Sequence, residues 1–340
     1  MSRVGGVAKF AGTAVGVAGA VAGAAYAGQR LLAGRLRSQP DGDAARALTT
    51  PIYIDHRLDA FDGGSIYVVE NGEGPPIVLS HGVTNSIRSW YSQLETLPRA
   101  GFRTVAYDHR GHGQSVLGTG GHSVENLALD LHVVLESLDL HDAVLVGHSM
   151  GGVAVQGFVT QFPELAAERV AGIVLLSTLA STPFGSHSTR TKRRIEQVTN
   201  RAPDMSWMWS TPNLGLLMAR LGFGRDPRPS HVELVRQMLA ECPPETRLDA
   251  PRALIGLDFT DELPNVKLPT LVIVGTADLL TPPAQARQIA KLIPDARLEV
   301  FPGGGHMLML ERTEALNRMI VDFAREVGAA DVERPEPVAG

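Results

Sequence analysis

Cysteine is almost absent from this chain: Cys242 is the only one in 340 residues. No intramolecular disulfide can form, and a cysteine-rich zinc site is excluded. Cys242 stands before Pro243 and Pro244 with no paired histidine nearby. Nothing there would stabilise a thiolate, so it reads as a loop or lid residue rather than a nucleophile. Metal-ligand spacing is also missing, and no metal or cofactor is expected. Positive charge is in deficit. Lys and Arg number 31 against 36 Asp and Glu, a formal net charge of −5, which speaks against a nucleic-acid binder. No internal repeat is apparent, so no repeat architecture is expected. What remains is an ordinary globular balance, 44% hydrophobic and 20% charged, in a chain long enough for one α/β domain with an insertion.

Charge is missing altogether between Lys9 and Arg30, where Phe10 to Gly28 is nearly all Ala, Gly and Val. The run has about the length of a bilayer-spanning helix, roughly 20 residues, but its hydrophobicity is weak. Its glycines would each cost a solvated helix about 1 kcal/mol. In lipid, Gly12 with Gly16 and Gly19 with Gly23 space as close-packing pairs. Residues 10–28 are therefore expected to associate with a membrane as a single anchor, placing the protein at a membrane or the cell envelope. Two other readings stay open. One is a cleaved signal peptide, with Ala25-Tyr26-Ala27 as its cleavage site; the other is a helix packed on the protein, or a disordered leader. Residues 1–37 are read as this leader and the polar stretch 38–50 as a linker.

Beyond the linker, strand-like and helix-like stretches alternate, which predicts an α/β fold with a mostly parallel sheet flanked by helices. Ile52 to Leu58 and Ser65 to Glu70 read as an antiparallel opening pair around the turn Asp62-Gly63-Gly64. Strands are expected at Pro76–Ser80, Arg103–Tyr107, Ala143–Val146, Val170–Leu176, Thr270–Val274 and Arg297–Phe301. Helices are expected at Ile87–Leu97, from Ser123 as cap to Leu138, at Met150–Gln161, Pro282–Leu292 and Arg312–Val327. The alternation fails between about Leu179 and Asn265 and then resumes. The core is thus assigned to 51–178 and 266–328, with 179–265 as an inserted helical lid and 329–340 as a flexible tail.

The strongest local pattern is Gly147-His148-Ser149-Met150-Gly151, set directly after a strand and before a helix. A sharp strand-to-helix turn strains the serine backbone and leaves no room for side chains two residues away. Gly147 and Gly151 meet that requirement, so Ser149 is exposed at a helix N-terminus as a candidate nucleophile. A serine hydroxyl needs a base to take its proton. Gly303-Gly304-Gly305-His306 supplies one after a strand, and His306 is the only histidine beyond His231. The partner that would hold its ring in one tautomer is Asp278, just after Thr270–Val274. The rivals Asp258 and Asp261 precede that strand.

From about Tyr53 to Val327 the chain resembles the α/β-hydrolase superfamily. The similarity is to the branch of monoacylglycerol lipases, small bacterial esterases and cofactor-free haloperoxidase-like enzymes. It is carried by His81-Gly82, Asp108-His109-Arg110-Gly111-His112-Gly113, Gly147 to Gly152, Asp278 and His306. The Ala/Gly-rich leader is similar to those of some actinobacterial hydrolases. The resemblance implies a catalytic triad of Ser149, Asp278 and His306. It also implies an oxyanion hole from the backbone N–H groups of Val83 and Met150. His81, His109 and His112 are expected to shape their loops rather than act as bases.

A serine at the elbow, rather than a carboxylate, favours acyl chemistry, so an ester hydrolase is expected, with a small-molecule ester as its partner. Trp207, Trp209, Leu214, Leu216, Leu217, Met218, Leu221 and Phe223 make the lid apolar. They form either its own small core or an acyl-chain tunnel, and the second would fit lipid-like esters. The cluster Arg190, Lys192, Arg193 and Arg194 reads as a solvated helix face. An acyltransferase with the same triad, and a non-catalytic binding protein, are the alternatives.

Overall fold

The computed structural model describes residues 26–47, 53–182 and 207–331. Eight strands form one sheet in the order β1-β2-β4-β3-β5-β6-β7-β8. They are β1 Ile54–Asp59, β2 Ser65–Asn71, β3 Pro76–Ser80, β4 Arg103–Tyr107, β5 Ala143–His148, β6 Val170–Leu176, β7 Thr270–Gly275 and β8 Arg297–Phe301. The β1–β2 and β2–β4 pairings are antiparallel and the rest parallel. The opening hairpin turns at Asp62-Gly63-Gly64, where Gly63 adopts a φ of 83° that a side chain would resist.

Helices run in chain order as α1 (26–37), α2 Ala44–Ala47, α3 Tyr91–Arg99 and α4 Val124–Ser137. Then come α5 Met150–Gln161, α6 Pro163–Arg169, α7 Trp207–Ser210, α8 Pro212–Arg220, α9 Pro229–Glu241 and α10 Pro244–Ala253. The last are α11 Pro283–Leu292, α12 Leu308–Glu311 and α13 Thr313–Asp331. Helices α7 to α10 fall between β6 and β7, in the stretch where the sequence alternation breaks.

Strand periodicity decides the layers. Ile77 and Leu79, Val144 and Val146, and Leu271 and Ile273 point to the side where Leu94 of α3 and Ile320 of α13 pack. Their neighbours Val78, Leu145, Val272 and Val274 point to the opposite side, against Leu131 of α4, Phe158 of α5 and Ile289 of α11. A strand buried on both faces reads as a continuous apolar run, and each such side chain contributes about 1.5–3 kcal/mol.

Two expected helices begin differently. Ile87–Trp90 is a 3-10 turn leading into α3, with the Ser86 side chain accepting from Arg88 N–H. The last helix, expected from Arg312, starts one residue later at Thr313, because Arg312 with a φ of −128° separates it from the short α12. Elsewhere, Ser123 caps α4 as expected, its hydroxyl accepting the Asn126 N–H at 3.0 Å.

The expectation of a membrane anchor at residues 10–28, and with it a membrane or cell-envelope location, is not upheld. Among the described residues no helix is long and apolar enough to cross a membrane. Residues 10–25 lie outside the described residues. Residues 26–28 lie in α1, which is docked on the protein: it carries Arg30, Arg35 and Arg37, and buries Ala33 and Leu36 in the core. Arg37 holds the Asn213 side chain at 2.8 Å.

Further along, the stretch expected as a linker is strapped down. Asp41 accepts from the backbone and hydroxyl of Ser230, Asp43 pairs with Arg228, and Arg46 pairs with Glu95 at 2.8 Å. These contacts tie residues 41–47 to α9 and to α3.

Candidate active site

Three loops at the C-terminal ends of parallel strands converge, where open α/β sheets place their ligand sites. At the end of β5, Ser149 has φ 54° and ψ −118°. For a residue with a Cβ this conformation costs on the order of 1–3 kcal/mol, and neighbours hold it in place. Ser149 N–H donates to Leu176 O at 3.0 Å, and the Thr178 hydroxyl donates to Ser149 O at 2.7 Å. A Cβ on Gly147 would overlap the Gly151 backbone, and one on Gly151 would overlap Ser80 O. The two glycines are therefore steric requirements, as the motif predicted. Ser149 stays partly exposed.

His306 follows β8 and is buried. Its Nδ1 lies 3.0 Å from Asp278 Oδ2 and 3.2 Å from Oδ1. Burial alone would raise the Asp278 carboxyl. The hydrogen bond and charge of His306, with the N–H and hydroxyl of Thr281, outweigh it and hold Asp278 below the usual carboxylate range. Asp278 thus stays ionised beside Nδ1, which leaves Nε2 for proton exchange. His148 ties the two loops together: its Nε2 lies 2.9 Å from His306 O, and the two ring centroids are 4.6 Å apart.

The two donors expected for an oxyanion lie on different loops, Val83 after β3 and Met150 at the start of α5. Val83 packs against the cluster that contains Met150, and among the described residues neither backbone N–H has a protein acceptor. Thr84 follows at φ 61°. A Cβ on Gly82 would come within 2.9 Å of the His148 ring and 3.1 Å of Ser149 Cβ, so this loop lies directly on the elbow.

His81 cannot serve as a second base. Its Nε2 accepts the His109 N–H at 3.0 Å and its Nδ1 bonds Gly82 O at 2.7 Å. His109 bonds the Ser80 hydroxyl at 3.0 Å and His112 bonds Arg110 O at 3.0 Å. All three are buried, and burial pushes each well down, His112 to about 4.

The rival acid Asp258 caps a turn through Thr260 N–H and hydroxyl. Cys242 is buried, and burial pushes its thiol up to about 11. The inserted stretch splits its apolar residues: Leu216 and Phe223 are buried, whereas Trp207 and Leu221 are exposed. The basic cluster at Arg190 to Arg194 lies outside the described residues.

Two site residues escaped the sequence reading. Thr281 donates its hydroxyl to Asp278 Oδ2 at 2.8 Å and also lies 3.2 Å from His306 Nδ1. The Asp-x-x-Thr spacing of a side-chain-capped turn was a usable signal for it. Glu311 accepts the N–H of Gly305, the residue before His306, and nothing local in sequence marks it.

A family model described as alpha/beta hydrolase fold matches residues 75–313. The chain is 30% identical over 275 residues to a non-heme haloperoxidase of Rhodococcus erythropolis, covering 78% of this chain and 98% of that one. It is 28% identical over 276 residues to a bifunctional esterase/perhydrolase of Acinetobacter calcoaceticus, covering 78% and 97%. A thermophilic esterase of Thermogutta terrifontis superposes with a TM-score of 0.67 at 28% identity, covering 82% of this chain and 99% of that one. With the sheet order and the strained strand-to-helix turn agreeing, the chain belongs to the α/β-hydrolase fold family and is one of its hydrolases.

Proposed function

We propose that the protein is a serine hydrolase that cleaves carboxylic esters through an acyl-enzyme on Ser149. The observation that carries this reading is the hydrogen-bonded Asp278–His306 pair, tied through His148 to the strained turn that presents Ser149.

Ser149 Oγ attacks the ester carbonyl and its proton passes to His306 Nε2. The carbonyl oxygen takes the negative charge, facing the N–H groups of Val83 and Met150. Each such donor is typically worth about 3 kcal/mol of barrier. Collapse breaks the bond to the alcohol, which leaves with the proton from His306. Water then attacks the acyl carbonyl while His306 accepts its proton. The second collapse restores Ser149 and releases the acid. Asp278 holds the His306 ring in the tautomer with Nδ1–H and stabilises the imidazolium.

We propose further that residues 207–265 of the insertion cover the site and that the acyl group is lipid-like. The Gly222 carbonyl of this stretch accepts the backbone N–H groups of His306 and Met307. Exposed Leu279 and Leu280 beside Asp278, and Leu221 in the insertion, offer apolar surface.

A second reading, perhydrolysis, is favoured by the relatives named haloperoxidase and esterase/perhydrolase. Here hydrogen peroxide replaces water in attacking the acyl-enzyme and a peracid leaves.

A fluorophosphonate probe followed by mass spectrometry tests the main reading. An adduct on Ser149 that disappears in His306→Ala is expected, and folded protein that stays unlabelled would overturn the proposal. Hydrolysis equally fast from acetyl to dodecanoyl esters would sink the lipid-like substrate.

A further inference from the structure

Glu311 carries a half-buried carboxylate that the acyl chemistry does not use, and it touches both sides of a seam. Its Oε2 accepts the Gly224 N–H at 2.7 Å and the Gly305 N–H at 3.0 Å, while Oε1 lies 3.1 Å from the same Gly305 N–H. Gly305 precedes the candidate base His306, and Gly224 belongs to the stretch inserted between β6 and β7.

Backbone groups close the rest of the seam. The N–H groups of His306 and Met307 donate to Gly222 O at 2.9 and 3.2 Å, and Arg225 N–H donates to Gly303 O at 3.2 Å. Side chains are excluded from it. A Cβ on Gly224 would overlap Gly303 O, and one on Gly305 would overlap Gly224 N. The inserted stretch and the histidine loop therefore meet main chain to main chain, with one side chain accepting from both.

Burial raises the Glu311 carboxyl, against the N–H groups of Gly224 and Gly305 that hold it down. Hydrogen bonds to an ionised acceptor are about twice as strong as neutral ones, so this carboxylate outranks the neutral backbone bonds beside it. The charge of Arg312 also draws the Glu311 carboxyl down, and its guanidinium bonds the carbonyls of Glu311 and Pro302.

We infer that Glu311 is a positioning residue that couples the seating of the inserted stretch to the orientation of His306. The inference rests on the reading of His306 as the catalytic base. Loss of the carboxylate frees one N–H on each side of the seam at once. The insertion and the histidine loop then loosen together, rather than one after the other.

The test uses the full chain with Glu311→Gln. The amide removes the charge that strengthens both bonds, and its NH2 faces the Gly305 N–H even where its oxygen takes the place of Oε2. Hydrogen exchange read by mass spectrometry should show segments 222–225 and 303–307 losing protection together, with the β5 and β7 strands unchanged. Turnover of acetyl and octanoyl p-nitrophenyl esters should fall about tenfold in kcat for both, with KM held within about twofold, as expected when the shared base is misplaced.

Ile320→Val in the core of α13 controls for general destabilisation and should leave kcat and the pairing of the two segments as in wild type. Should Glu311→Gln not fold, Glu311→Asp, one methylene short of the seam, is expected to show the same paired loss. Protection lost on one side only, or a kcat equal to wild type, would overturn the coupling. A wild-type protein with no esterase activity would overturn the role of His306 instead, and the exchange result would then decide the coupling by itself.

Discussion

The side chain of His148 bonds the main chain of His306: Nε2 lies 2.9 Å from the carbonyl oxygen across 158 positions of sequence. A carbonyl oxygen can only accept, so the neutral His148 ring carries its proton on Nε2 and leaves Nδ1 without one. Burial, with the His306 ring beside it, keeps His148 neutral by pushing its pKa well down. The residue inside the elbow motif thereby fixes the loop that carries the candidate base.

His148→Ala should cost about 1–3 kcal/mol of stability, because a buried carbonyl loses its donor. It should also reduce kcat more than it raises KM, since Ser149 keeps its own backbone supports. Denaturant melts and steady-state kinetics check this. A variant as stable and active as wild type would show the contact to be idle.

Asp278→Asn should keep the fold and lower kcat on the order of 10⁴-fold, because an amide there permits the wrong His306 tautomer. Ser149→Ala and His306→Ala should abolish turnover. Circular dichroism alongside ester kinetics separates lost chemistry from lost fold.

Acid should unfold this protein early. Burial lowers the pKa of six histidines, His81, His109, His112, His122, His148 and His231, with His112 and His231 at about 4. Below about 6.5 the unfolded chain binds protons that the folded one refuses. Stability from these groups is therefore fully present above pH 6.5 and is lost as pH falls toward 4. Asp108, which burial raises to about 6, and Asp130 and Glu311, which burial also raises, work in the opposite direction, as three groups against six. Each net proton costs about 1.4 kcal/mol per pH unit. Urea midpoints should drop steeply from pH 7 to 5, and a flat profile would contradict the neutral, buried state of these rings.

Cys242 should resist alkylation in the native protein. With its thiol at about 11, about one in a thousand is ionised at pH 8. Iodoacetamide should label it only after denaturation, and rapid native labelling would place it in a different environment.

The layers of the sheet were legible residue by residue. Val78 and Ile77, or Val272 and Ile273, are neighbours that serve opposite cores, and a strand's two-residue period makes that readable from an apolar run. Local chemistry was equally legible: Ser123 as a cap, Gly63 in a turn, and Gly147 and Gly151 around Ser149. The Ser80 carbonyl that excludes a Cβ at Gly151 arrives from β3, while Ser123, Gly63 and Gly147 are each satisfied within a few positions of themselves. The run of small residues before Arg30 misled for the same reason. Composition reports what a segment could do in lipid, but α1 is decided by Ala33, Leu36 and Arg37 meeting the rest of the protein.

By itself, then, the sequence determined the order of strands and helices, the strained turn at Ser149, and the candidates His306 and Asp278. Steric limits and side-chain periodicity act over short stretches of chain and leave their mark there. Only the tertiary structure decided that His148 bonds His306 and that Glu311 joins Gly224 to Gly305. The His148–His306 and Glu311–Gly224 contacts cross 158 and 87 positions, and such a hydrogen bond depends on where two atoms arrive in space rather than on any spacing along the chain.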